Sequence, residues 1–272
     1  MQDNYHERKP TKDFSDVSYM QRTRGELVRK LAETLVEPER TVFYGVNNVV
    51  VSLDRAVDAK ELPDSTFENV LRFLKGENMG FVGRASFGRF LEAVDQLSSQ
   101  ELRGRIHQLL EEEYSYQVRN VARRYKVLGA EEIGELREGE HPVFTIDMLL
   151  LFPGISPGIL EKISRRYTLA AKIADDMMDF PDDVRNGFLY IPREHVDKVS
   201  GIKLKEGSYQ IVGEPELDKS YATQELWLAR RNFCEGDAIS TNSKLFESAP
   251  FRDFRALMYS WIEEAEGVLG IK

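Results

Sequence analysis

The sequence is poor in the residues that most often announce chemistry. It has one cysteine, Cys234, in 272 residues, so no disulfide framework can form within the chain, and a lone thiol makes no metal site. Its four histidines, at 6, 107, 141 and 195, include no close pair, which argues against a His-rich zinc centre. No apolar run approaches the ~18 residues of a membrane-spanning helix. The first ten residues, Met1 to Pro10, are polar and do not read as a signal peptide. Basic residues are also short: 37 Lys and Arg stand against 46 Asp and Glu, a net charge of −9, which excludes a general nucleic-acid binder. What is there is a chain 42% hydrophobic and 31% charged, enough apolar material for a sizeable core. The expectation is a soluble, cytoplasmic, acidic protein whose metal chemistry must use oxygen ligands.

The hydrophobic spacing is mostly helical. Residues 1–18 are polar and read as a flexible N-terminal arm, and 19–272 read as one helical domain. Leu27, Leu31 and Leu35 mark a first helix, and Pro38-Glu39-Arg40 opens a second that runs to about Glu61. A third spans Pro63 to about Lys75, before a glycine-rich loop at Gly76–Gly83. Leu102, Ile106, Leu109, Leu110, Val118 and Val121 predict a long amphipathic helix over 102–125. A loop is expected at Gly134–Pro142, then an apolar run at 143–152 and a helix from Pro157 to Phe180. Residues 201–213 fit a short hairpin, and two helices, over 215–234 and 247–269, close the chain. The fold class is therefore all-α, a single-domain helical bundle.

Two acidic clusters stand out. Asp54 and Asp58 are four apart and share a helix face directly after the apolar run Val49–Leu53. Asp175, Asp176, Asp179, Asp182 and Asp183 put five aspartates in nine residues, with 175, 179 and 183 at i, i+4 and i+8. Like charges at that spacing each cost roughly 0.2–0.5 kcal/mol. Asp suits the positive end of a helix rather than its C-terminus. The packed-looking stretch Tyr167–Ala174 directs this acidic end inward, so a compensating cation is needed. Hard oxygen ligands without His or Cys select magnesium, which usually shares its shell with phosphate oxygens. Two acidic helices facing each other would hold a diphosphate between metal ions, above an apolar cavity for the hydrocarbon. Each cluster also has a plainer reading, as a solvated acidic face and as an acidic helix end broken at Pro181.

These residues resemble a known family. Asp54-x-x-x-Asp58, soon after Pro38-Glu39-Arg40, is similar to the first aspartate motif of squalene and phytoene synthases. Asp179-Phe-Pro-Asp-Asp183-Val-Arg185-Asn-Gly187-Phe-Leu-Tyr190-Ile-Pro192 resembles their second motif and the segment after it. Asp175-Asp176-x-x-Asp179 also looks like the second motif of trans-polyprenyl diphosphate synthases, and the 175/179/183 spacing resembles the three-ligand motif of class I terpene cyclases. The strong part covers residues 36–60 and 165–195. Phe144-Thr145-Ile146-Asp147-Met148 replaces the Tyr-Cys-x-x-Val-Ala-Gly-type helix of squalene and phytoene synthases. Pro181 stands where they often have Gly and predicts a kink.

The resemblance implies the isoprenoid synthase fold, an α-bundle around a central apolar cavity. It implies a Mg2+-dependent prenyltransferase, using two or three ions, that ionises an allylic prenyl diphosphate of the farnesyl or geranylgeranyl class and couples it to a second chain. The alternatives are a class I terpene cyclase acting on one prenyl diphosphate and a noncatalytic helical protein that keeps the fold. Asp54, Asp58, Asp175, Asp176, Asp179 and Asp183 are the expected metal ligands. Arg185, Lys172, Asn47, Arg119, Arg123 and Tyr190 are the expected substrate-binding residues, Arg185 and Tyr190 by the resemblance alone. Trp227, Tyr259 and Trp261 are candidates for closing the cavity over a cation. Asp147 reads equally as a ligand variation or a helix cap. A calcium loop with its Gly and terminal Glu is missing. Monomer and homodimer both remain open, and a hydrophobic product would bring peripheral membrane contact.

Overall fold

The computed structural model describes residues 19–47, 90 and 92–271. The flexible-arm reading of 1–18, Asp54 and Asp58, the helix at 63–75 and the glycine-rich loop at 76–83 lie outside the described residues. Helix α1 spans Tyr19–Glu33. Residues 39–47 and 92–96 are helical as well. Then come α2 (Gln100–Ala122), α3 (Ala130–Glu138), α4 (His141–Leu151), α5 (Pro157–Met178) and α6 (Phe180–Asn186). After a 3-10 turn, an antiparallel hairpin is formed by β1 (Val199–Lys205) and β2 (Ser208–Leu217). The chain ends in α7 (Lys219–Asn242) and α8 (Ala249–Leu269). No described helix is long and apolar enough to cross a membrane.

Helix α5 is the hub: α3, α4, α7 and α8 all pack on it, and α1 packs on α8. Its sequence explains this. Leu160, Ile163, Tyr167, Ala170 and Ala174 recur at helical spacing and are all buried. Tyr167 stacks on Phe233 of α7, with ring centroids 4.7 Å apart. Its hydroxyl donates to Asp237 (2.7 Å), which also accepts two bonds from Arg255 of α8 (2.7 and 2.6 Å). Gly236 makes the approach possible, because a Cβ there would meet the Tyr167 ring at 2.6 Å. A second, smaller core of Phe180, Val184, Leu189, Ile191, Tyr209 and Tyr221 lies under the hairpin. It anchors the acidic end of α5.

The expected loop at 134–142 is instead the end of α3 and the start of α4, and Gly134 sits inside α3. A glycine inside a helix costs up to ~1 kcal/mol. Here burial of Ile133 and Leu136 outweighs it. The hairpin at 201–213 forms as expected and extends to Leu217, with an irregular register beside Gly201, which has φ +74°.

Candidate active site at the mouth of the cavity

Helix α5 ends at Met178, and α6 begins at Phe180. Pro181 lacks an N–H and occupies the first turn of α6, where none is needed. The ladder therefore survives the break. The Asp179 N–H donates to the Asp175 carbonyl (2.9 Å) and the Asp183 N–H to the Asp179 carbonyl (3.0 Å). Asp175, Asp179 and Asp183 are thus stacked turn upon turn across the junction.

The stripe is electrostatically strained. Asp179 stands exposed, yet its carboxyl is pushed up to about 6, by desolvation first and then by Asp175, Asp182 and Glu264 against the pull of Lys172. Asp183, half-buried, is raised well above the ordinary range, by burial and then by Asp176, Asp175 and Asp179, again against Lys172. Carboxylates that raise one another's pKa suit a hard dication, and their all-oxygen donor set suits magnesium. Among the described residues no three His, Cys, Asp or Glu side chains converge as a complete metal site. That is compatible with one wall of a shared socket, since magnesium is usually held by one or two carboxylates plus substrate phosphates.

Asp176 faces a different environment. It is 1% exposed and accepts from Arg137 Nε of α3 (2.8 Å), with Lys172 Nζ at 3.2 Å. Arg137 also bonds Glu225 of α7 (2.7 Å) and the Tyr190 carbonyl (3.3 Å). Lys172 reaches Asp175 (3.3 Å) and Glu140 (3.4 Å) as well, and its ammonium lies 5.0 Å from the Tyr190 ring centre. Burial works against its charge, but Glu140, Asp176 and Asp175 outweigh it and raise its pKa. Tyr116 completes the network by donating to Glu140 (2.6 Å).

Beside this network lies a cavity of about 350 Å³, lined among others by Arg24, Asn47, Phe144, Lys172, Asp175 and Trp261. Arg24 of α1 donates to Ser260, pairs with Glu264 and lies 4.1 Å over the Trp261 ring. Burial lowers its pKa, opposed by Glu264, Asp175 and Asp179, so the guanidinium feels the acidic stripe directly. Asn47 Nδ2 donates to both Asp147 oxygens (3.1 and 3.3 Å). Asp147 is 2% exposed, and desolvation, opposed by Asn47, raises its carboxyl to about 8. It is neither a helix cap nor part of the acidic stripe.

The remaining expected residues differ in place, and Tyr190 stays beside Lys172. Tyr190 is buried and bonds Asn120 (2.9 Å). Arg185 is exposed and pairs with Asp182 (2.6 Å) and with Glu214 of β2. Arg119 is exposed and faces a larger open groove of about 770 Å³ with Glu111, Glu135 and Arg165, away from the stripe. Arg123 lies 3.9 Å from Glu135. Of the three C-terminal aromatics, Trp261 lines the cavity, Tyr259 packs on Phe233, and Trp227 is 64% exposed. Arg24, Arg137 and Glu140 escaped the sequence reading. Arg24 and Arg137 belong to other helices than the acidic cluster and Glu140 directly precedes α4, and isolated charged residues of this kind carry no spacing signal.

No protein-family model matches the sequence. No curated protein matches it either. Solved structures do. The chain is similar to 2-methylisoborneol synthase from Streptomyces coelicolor A3(2), at 7% identity and a TM-score of 0.61, covering 94% of this chain and 85% of that one. The same enzyme in complex with Mg2+ and geranyl-S-thiolodiphosphate matches at 8% identity and a TM-score of 0.60, covering 92% and 82%. The chain has the all-α terpene synthase fold. At this identity the likeness establishes the architecture and nothing finer.

Proposed function

We propose that this protein is a Mg2+-dependent class I terpene synthase that ionises one prenyl diphosphate and lets the resulting cation close on its own double bonds. The observation that carries the reading is the Asp175/Asp179/Asp183 stripe, whose first member lines a cavity in this fold and whose other two carboxyls are raised by desolvation and by the like charges around them. In the similar solved structure Mg2+ and a geranyl diphosphate analogue are bound.

Asp175, Asp179 and Asp183 would hold metal from one side, with Asp54 and Asp58 proposed for the other. Magnesium bound there supplies Lewis acidity and neutralises the departing diphosphate. Arg24 and Lys172, which line the cavity, would donate to diphosphate oxygens as the C–O bond breaks and its electron pair leaves with oxygen. The Trp261 face lines the cavity where the cation forms, and aromatic faces attract cations by roughly 0.5–2 kcal/mol.

The resemblance to squalene and phytoene synthases favours joining two chains. The fold neighbours favour the single-chain cyclase. So does size, because about 350 Å³ is at the small end of ligand cavities (~300–1,000 Å³), while coupling must house two prenyl tails. The test is incubation with Mg2+ and geranyl, farnesyl or geranylgeranyl diphosphate, measuring diphosphate release and extracted product. A cyclic single-chain product is expected. A product of two joined chains would restore the coupling reading, and no release from any of the three would remove the enzyme reading in favour of a noncatalytic protein keeping the fold.

A further inference from the structure

Helix α3 carries a glycine that its own packing does not require. Gly134 stands inside the helix, where glycine costs up to ~1 kcal/mol against alanine. A Cβ there would meet nothing within 4 Å among the described residues, so no neighbouring side chain demands the gap. What Gly134 borders is a groove of about 520 Å³ between α3, α5 and α7. That volume is ordinary for a ligand cavity (~300–1,000 Å³). The groove shares no lining residue with the cavity beside the acidic stripe. Its apolar walls include Ile133, Leu169 and Leu228, and the two leucines are only partly covered by the protein. Over these walls stand three arginines, Arg137, Arg166 and Arg231, against two carboxylates, Glu225 and Glu235, an excess of one positive charge. Arg137 is 5% exposed and held by Asp176 and Glu225. Arg166 and Arg231 share Glu235, each with its Nε 3.3 Å away. The paired Nη donors, which grip a phosphate or carboxylate two at a time, are not spent on that carboxylate. Arg166 Nη1 donates to the buried Asn232 (3.0 Å), which steadies the guanidinium at the groove.

We propose that this groove is a second binding site, for a small amphiphilic anion: an apolar chain carrying a phosphate or carboxylate head. The head sits between Arg166 and Arg231, where one carboxylate, Glu235, serves two guanidiniums. The chain lies along Ile133, Leu169 and Leu228, in the room that Gly134 leaves open. Burying the exposed parts of the two leucines contributes the apolar share of the affinity, and the charge-assisted bonds to arginine contribute the selectivity for an anion. The site stands apart from the terpene synthase reading, because binding needs neither Mg2+ nor a prenyl diphosphate.

The experiment is calorimetric titration of the full chain, without Mg2+, with octyl phosphate, octanoate, octanol and inorganic phosphate. Octyl phosphate or octanoate is expected to bind at least tenfold more tightly than octanol or inorganic phosphate, and the tighter of the two names the head group. Gly134→Leu fills the groove with a good helix former and should abolish binding while the melting temperature holds or rises. Arg166→Gln combined with Arg231→Gln should weaken binding by roughly tenfold or more, as losing charge-assisted contacts implies. The two variants act on different helices, so misfolding of one leaves the other as the test. No binding of either anion overturns the proposal, and so does octanol binding as tightly as the anions. Anion binding that survives unchanged in both variants places the ligand elsewhere and overturns it too. Diphosphate release from a prenyl diphosphate bears on the synthase reading alone.

Discussion

Two groups of carboxylates lie within two turns of each other and differ in the cations that reach them, although burial raises the Asp176 carboxyl as well. Asp176, on the inner side of α5, is held by Arg137 and Lys172, and Arg137 is itself shared with Glu225. Asp179 and Asp183, on the outer stripe, feel the partial pull of Lys172 against several like charges among the described residues. A folded protein can satisfy an inner aspartate with its own cations because burial demands it. It leaves an outer pair unsatisfied only when something else supplies the charge, or when solvent does. The comparison divides a run of five aspartates into a structural member and candidate ligands, a division that residue type alone does not make.

The sharpest way to break that comparison is to remove a member of each group. Asp179→Ala is expected to lower diphosphate release by roughly 10²-fold, a scale reached even by groups that only support metal ligands, with little movement of the melting curve because the residue is exposed. A rate within threefold of wild type would return the stripe to an ordinary acidic surface. Arg137→Met should do the reverse. It leaves Asp176 and Glu225 without their guanidinium, and denaturant unfolding should show a loss of about 3–5 kcal/mol. Replacing Asp176 with Leu in the same chain should recover much of that loss, since an apolar pair of similar volume is often as stable as the ion pair. Failure to recover would mean that Asp176 does more than balance Arg137.

Asp147 offers a third solution to the same problem and a smaller, pH-dependent effect. It is as buried as Asp176 but, among the described residues, takes its side-chain hydrogen bonds from Asn47 alone, and its carboxyl is raised from near 4 to about 8. The folded state therefore binds a proton that the unfolded state has released. Stability from this group is fully present below pH ~4 and declines toward pH 8, by up to about 1.4 kcal/mol per pH unit. Asp147→Asn should flatten that decline. Parallel unfolding curves for the two proteins from pH 5 to pH 8 would show that Asp147 is not neutral in the fold.

Much of the architecture was legible in the residues, because α2, α5 and α8 bury stripes of apolar side chains at helical spacing. The 175/179/183 stripe was legible for the same geometric reason, and the hairpin showed through its glycines. The helix α3 was not. The stretch from Gly134 to Pro142 reads as loop, and tertiary burial of Ile133, Leu136 and Arg137 makes its first half helical. The cations of the site were hidden too. Arg24 and Arg137 look like any solvated basic residue until the packing of α1 on α8 and of α3 on α5 brings them to the aspartates. Arg185 is the opposite case, a basic residue whose sequence context is informative but whose side chain is turned toward Asp182 and Glu214.

Arg185→Ala therefore gives the smallest expected effect and the finest test. The pair with Asp182 is exposed on both sides, and such pairs contribute about 0–1 kcal/mol, so stability should change by no more than that. If the guanidinium serves only to tie α6 to β2, diphosphate release should stay within about twofold, the factor that corresponds to ~0.4 kcal/mol. A drop of tenfold or more with unchanged stability would mean that Arg185 leaves Asp182 and Glu214 for the diphosphate when substrate arrives. The role implied by the resemblance to squalene and phytoene synthases would then hold, and the contrast between satisfied and unsatisfied carboxylates would extend from the end of α5 into α6.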